Sequence, residues 1–492
     1  MSFLALLVAA PLVALPQEEW HESPVEAQLQ QTFSSWSIQI LNLPEEDLRL
    51  PFAASLTLPD LSVDLLLEPY SVRSKDFRLL VQGEDGVVRE EAPPPPHTYR
   101  GEVAALEGSR VAASLFQGQL DALVDLGGDR GLWFVQPLSD FVDGAAPDEH
   151  VLYRSDWVLA DGDARCGVPD PPAHSEEEHR GSGTQAGSSD VTAELAIDCD
   201  NRYYTANGGT NGTMNEVEAL VNALETIYQR DCGICYELNR TVLRSSSTSD
   251  PYYNNPDPGF LLDTLRSEWL GPFNSEPRDM AHLLSGHPNT TGVVGLAYVA
   301  VTCNKSWHYG ISLRYSDLYT QTGLVAHELG HNWSAGHCSG SGCYIMCGGL
   351  GGCGGDLSKF AQVSIDTINN YKNNANCLDG GCGLPPGPLT LGLPSPGDAG
   401  VWNFITVEEC TPGETQYLYA SAQWPGSGSV PGCPNLTFEF DSPKLVATGA
   451  SGAQGTFTFT GFVPAGLSGR LLAMQAVEPA TCRISNIVLD WF

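Results

Sequence analysis

The stretch "HELGHNWSAGH", His327 to His337, limits what this chain can fold into more than any other. In an α-helix, positions i and i+4 share a face, so His327 and His331 point the same way. His337 comes later, and the chain must leave the helix to bring it back to the same point. The small residues Ser334, Ala335 and Gly336 make that turn practicable. Three imidazoles converging in this way suit a tetrahedral zinc ion. Glu328 follows the first histidine and reaches the water on the metal, where it serves as general base and then general acid. The pattern predicts metal-assisted hydrolysis of an amide. A bare His-Glu-x-x-His is less specific, because surface helices carry histidines for no reason. His337 sets this stretch apart.

The chain has 492 residues and a formal net charge of -35. That length allows two to four domains, and that charge argues against nucleic acid or an anionic membrane as partner. Residues 1–16 contain a short apolar run, "FLALLVAAPLVAL", and read as a secretory signal peptide, although no Lys or Arg precedes it. No later segment reads as transmembrane, so the expected localisation is secreted and extracellular. Most of the 14 cysteines lie between Cys199 and Cys382, a density that implies disulfides in an exported chain.

The fold class expected is multidomain. Residues 17–168 alternate apolar and polar residues, as in "RVAASLFQGQLDALVDL", and read as a β-rich unit of hairpins. Residues 169–190 are a Pro, Gly, Ser and acid-rich linker of the kind proteases cut. Residues 191–383 alternate helix and strand signals and read as a mixed α/β domain. There Val217, Leu220, Val221, Leu224, Ile227 and Tyr228 share a helical face, with Thr213 and Glu216 as a capping box. Residues 384–396 form a second linker, and 397–492 read as a small β-sandwich.

"HELGHNWSAGH" followed by "YIM" resembles the metzincin zinc endopeptidases, in which Met346 would be the structural methionine beneath the metal. "AELAIDCD", "RDMAHLLSG", "VGLAYVAVTC" and "LSKFAQVSI" resemble, in order, the adamalysin/reprolysin (ADAM-like) branch. The resemblance implies an α/β catalytic domain with a mixed sheet and an active-site helix carrying the zinc ligands. It implies that "GLAYV" is the edge strand along which substrate lies extended, and that Cys303 pairs with Cys377. It matches Glu194 and Asp279 to two side-chain ligands of a calcium site. The downstream Asn of that site is not evident, and ordinary surface carboxylates fit both residues as well. Two positions depart from the family. Ser334 stands where Gly takes a positive φ, so either Ser carries that conformation at a cost of about 1 kcal/mol or the turn moves to Gly336. Cys338 stands where an Asp is usual. Cys232 and Cys235 are expected in structural disulfides. His282, His287 and His308 lack partner spacing and are read as non-ligands. Asn332 begins a sequon beside a zinc ligand, where a glycan would obstruct the site.

Cys166 stands far from the other cysteines, in "ARCGVPD", which resembles the cysteine switch of metzincin propeptides. A thiolate makes a good fourth zinc ligand and excludes water. "TYRGEV" and "GSRVAASLFQGQLDALV" resemble an ADAM-like propeptide. The resemblance implies a zymogen, opened by an activating protease that cuts the linker, with Arg180 as the candidate point. Cutting there is expected to release the N-terminal domain. The partners expected are protein or peptide substrates. The C-terminal module has no legible ligand, and its three cysteines leave one unpaired or paired elsewhere. The alternative is a non-catalytic surface adhesion protein that kept the fold.

Overall fold

In Phe52–Leu58 and Leu61–Pro69, buried side chains alternate with exposed ones, the mark of a sheet with one wet face. The computed structural model describes residues 24–44, 51–106, 108–169, 190–354, 356–381, 389–411, 414–433, 436–451 and 456–492. The expected signal segment, nearly all of the first linker and residues 384–388 of the second lie outside the described residues.

Phe52–Leu58 and Leu61–Pro69 belong to an eight-stranded antiparallel sheet, built wholly from residues 37–154. A second, mixed sheet holds the candidate site. Its order is Arg165–Cys166, Val293–Ala297, Tyr309–Leu313, Met280–Ser285, Val191–Cys199, Ile234–Arg244, Arg73–Gln82 and Val88–Glu91. The four strands from Tyr309–Leu313 to Ile234–Arg244 run parallel to one another, and Val293–Ala297 runs antiparallel to its neighbour. Both faces are covered, as parallel strands require. Leu195 and Ile197 join the core against the helix Thr210–Cys232, and Ala196 between them joins the core against the helix Pro258–Leu270.

The expected step from a β-rich unit to a separate catalytic unit is not a step between sheets. Arg73–Gln82, Val88–Glu91 and Arg165–Cys166 come from the 17–168 span, yet they are strands of the mixed sheet. Leu79 and Val81 enter one core and Leu80 the other, so this strand is buried on both faces. Its unbroken apolar run "LLV" differs from the alternation in its neighbours, and that difference is the local sign of its other home.

The helix Thr210–Cys232 buries the six predicted apolar residues. Its start is earlier than expected: Gly209 is the N-cap, and Thr213 and Glu216 lie inside the helix rather than forming a capping box. Asn215, Glu218, Asn222 and Glu225 make a second stripe on the same helix, and it too is buried, beneath the antiparallel sheet.

After residue 389, Thr390–Leu391, Trp402–Glu408 and Phe457–Phe462 form one antiparallel sheet. Lys444–Ala450, Thr415–Ser421, Leu471–Glu478, Arg483–Ile484 and Val488–Trp491 form another. Ile405, Val407 and Phe459 from the first meet Leu418, Met474 and Val488 from the second in one core. Cys433 and Cys482 are joined, and Cys410 is free and buried.

Candidate metal centre

Asp317 caps the helix Leu318–Asn332, its carboxylate accepting from Thr320 N at 2.7 Å. His327, Glu328 and His331 are all buried on it. The helix ends in a Schellman turn: Ser334 N donates to His331 O at 2.8 Å, and Ala335 N donates to Gly330 O at 2.9 Å. The left-handed position of that turn is Ser334, at φ 81°. The turn therefore does not move to Gly336.

This turn returns His337 to the helix. The three Nε2 atoms lie 3.1 to 3.2 Å apart. His327 Nδ1 faces Ile345 O at 2.6 Å, and His331 Nδ1 faces Ala335 O at 2.7 Å. A carbonyl only accepts, so each Nδ1 carries the proton and each Nε2 presents a lone pair. Burial, with its histidine neighbours, holds His327 well below the usual imidazole range and His331 at about 4. The two lone pairs of His327 and His331, brought this close to each other and to His337 Nε2, suit a cation. Tetrahedral zinc with Zn–N near 2.05 Å sets nitrogens roughly 3.3 Å apart, so the donor set fits zinc.

Cys166 completes the cluster. The ligand atoms of Cys166, His327, His331 and His337 all lie within 4.8 Å of one another. Cys166 Sγ is 3.5 Å from His331 Nε2, close to the roughly 3.6 Å between sulfur and nitrogen around one zinc. It also lies 3.5 Å from Glu328 Oε2. The strand Arg165–Cys166 pairs parallel to Val293–Ala297, on the edge where the sequence places an extended substrate. Cys166 N donates to Gly348 O and Gly167 N to Gly295 O, each at 2.9 Å.

Glu328 is fully buried, and its Oε1 has no hydrogen-bond partner. Burial pushes its carboxyl up to about 8, against the opposing pull of the Cys166 thiol. Met346 is also fully buried, and Gly330 leaves it room: a Cβ there would stand 2.6 Å from its sulfur. Disulfides Cys338–Cys343 and Cys347–Cys353 brace the segment that carries Met346. Cys338, the departure from the family's Asp, is therefore a bracing residue.

Other expectations fall away from this centre. Cys303 and Cys377 are joined. Cys235 is disulfide-bonded, whereas Cys232 is free and buried at a helix end, a correction to the paired reading. Glu194 N donates to Asp279 Oδ2 at 2.9 Å, and burial with the Glu194 charge raises Asp279 to about 7. Among the described residues no group of three carboxylates converges around this pair; Asp279 groups instead with Cys303 and Cys377, which are tied up in their disulfide. His282, His287 and His308 are buried and bonded to Ser312, Tyr252 O and Asp279 O. The Asn332 amide is buried and donates to Tyr298 O and Tyr309 O, which leaves no room for a glycan.

Sequence reasoning missed Gly295, Gly330 and the carbonyls of Ile345 and Ala335. A glycine inside a strand was the available sign for Gly295.

The family model Reprolysin_5, metallo-peptidase family M12, matches residues 189–378. Among curated proteins the chain is similar to disintegrin and metalloproteinase domain-containing protein 10. The Homo sapiens protein is 23% identical over 308 residues, 50% of this chain and 40% of that protein. The Xenopus laevis protein is 26% identical over 335 residues, 56% of this chain and 43% of that protein. The chain thus spans about two fifths of the length of the curated relatives it matches. Family match and site geometry define a class, the metallopeptidases of family M12, for which zinc is the implied metal. Within that class the chain carries an adamalysin/reprolysin-type metzincin domain.

Proposed function

We propose that this chain is the latent, exported precursor of a zinc endopeptidase acting on protein substrates. In this reading residues 1–16 are a signal peptide, 17–168 an inhibitory propeptide, 191–383 the catalytic domain and 397–492 an accessory module. Among the described residues no helix is long and apolar enough to cross a membrane. His327, His331 and His337 would hold zinc, with Met346 beneath them. Bound zinc supplies a Lewis acid that polarises a carbonyl and makes water more acidic. Glu328 takes the proton of the attacking water and returns it to the leaving amine. Val293–Ala297 holds the substrate backbone extended beside Glu328. Calcium at Glu194 and Asp279 gains no support from the donor set and stays outside this reading.

The observation that carries the proposal is the convergence of four ligand atoms, three imidazole and one thiol, beside a buried carboxylate. The thiol stands where water would enter, which is how a precursor would be held silent. The test is cleavage of an unfolded-protein substrate by the processed enzyme, beside Glu328→Ala. The variant is expected to keep its zinc and lose roughly 100- to 10,000-fold in activity. Activity within tenfold of the parent removes Glu328 from the role.

A further inference from the structure

The run "CSGSGCYIMCGGLGGC", Cys338 to Cys353, holds Met346 between two loops of small residues, each closed by a disulfide. The first loop follows the third imidazole directly. Ser339, Gly340, Ser341 and Gly342 are all exposed. A Cβ at Gly336, Gly340 or Gly342 would meet no other atom within 4 Å. Packing therefore does not fix this part of the chain, and Gly and Ser are the residues with most freedom to regain when released.

The two ends of the loop differ. Cys343 is buried and leads into Ile345, fully buried, whose carbonyl holds His327 Nδ1. Cys338 is half-buried beside His337, and its N–H donates to Met346 O at 3.1 Å. The bond Cys338–Cys343 thus ties the loose end, next to His337, to the anchored end that registers His327. His327 and His331 share one helix, and each has a carbonyl partner. His337 lies beyond the helix, past the turn at Ser334.

We propose that the Cys338–Cys343 disulfide positions His337, so that zinc affinity follows the redox state of this bond. The inference rests on the reading of the three imidazoles as zinc ligands. A dithiol passes two electrons and two protons to the bond, leaving thiols on Cys338 and Cys343 and a disulfide on the reductant. The exposed loop then regains chain entropy, and His337 spends less time within reach of the other two imidazoles. Zinc is held firmly in oxidising surroundings and weakly where dithiols prevail. Cys347–Cys353 closes a loop of similar length that lies against another segment. There Gly348 O accepts from Cys166 N, and Leu350 N donates to Ala164 O, each at 2.9 Å.

The test uses the full chain carrying Cys166→Ala, so that sulfur does not replace an imidazole. Zinc affinity is read by competition with a chromogenic chelator. Cys338→Ser with Cys343→Ser is expected to weaken zinc roughly tenfold to a hundredfold, the range for groups that orient a ligand. Cys347→Ser with Cys353→Ser removes a loop closure of similar size and is expected to stay within about threefold of the parent. In the parent, a graded dithiol series should weaken zinc in step with thiols appearing at Cys338 and Cys343 by mass spectrometry, and reoxidation should restore it. Unchanged affinity in the first double variant, or equal weakening in both, overturns the positioning role. His337→Ala separates the two readings. If it weakens zinc and the Cys338, Cys343 variant does not, the ligand reading stands and this inference falls. If His337→Ala leaves zinc affinity unchanged, the ligand reading falls and this inference with it.

Discussion

Gly295 lies against Glu328 so closely that a Cβ at 295 would overlap the Glu328 carboxylate. The edge strand thus needs glycine at this point, because the buried base occupies the space a side chain would take. Gly295→Ala in the processed enzyme is expected to push the carboxylate aside while leaving the three imidazoles in place. Displacement of a catalytic group by about 1 Å costs roughly a hundredfold in rate. The measurement is kcat beside zinc content. Unchanged kcat, or zinc lost in step with activity, removes the positioning role.

Ser334 holds a conformation that costs an L-residue about 1 kcal/mol and costs glycine nothing. Ser334→Gly is therefore expected to raise stability by up to about 1 kcal/mol, read as the urea midpoint, with metal affinity unchanged or higher. A loss of stability would mean that the Ser334 side chain contributes more than its backbone strain removes.

Cys166 sits among the imidazoles and beside Glu328. The uncut precursor is expected to be inactive and to react slowly with thiol reagents. Cys166→Ala should open the fourth position and give measurable activity before any cut. Packing of the N-terminal unit over the cleft retains part of the inhibition. The comparison is peptidase activity of intact parent and variant, with a gel showing both uncut. Equal latency, with no sulfur on the zinc by X-ray absorption, leaves steric blocking as the explanation.

His282 is fully buried, and burial lowers its pKa to about 3. Its unfolded value is near 6.5. The folded value is the lower one, so unfolding takes up a proton below about pH 6.5. The stability this neutral histidine contributes is present above that pH and is lost as pH falls toward 3. The slope is about 1.4 kcal/mol per pH unit. His282→Gln, which keeps a partner for Ser312, is expected to flatten the urea midpoint between pH 6.5 and 4. An unchanged pH profile would assign the acid sensitivity to other groups.

The amino-acid sequence alone determined what is local in the chain. The His327 to His337 spacing, the apolar face of Thr210–Cys232 and a strand within the apolar run "VVGLAYVAV", at Val293–Ala297, follow from patterns over a few residues. Those patterns also made the candidate metal centre legible, because its three imidazoles come from one helix and the turn after it. The cluster gained Cys166 only through the resemblance of "ARCGVPD", since nothing in its spacing ties it to residues so far along the chain. Tertiary structure decided what lies between distant segments. Arg244 and Gln82 are 162 residues apart; the unbroken "LLV" run marks a strand buried on both faces, but nothing local says which sheet it completes. In isolation the polar stripe Asn215 to Glu225 would be a solvated face; Arg73, Arg100 and Ser114 make its burial tolerable. The choice of Ser334 over Gly336 came from outside as well. Bringing His337 back to the metal fixes where the helix must turn, and the packed site can bear the strain on Ser334.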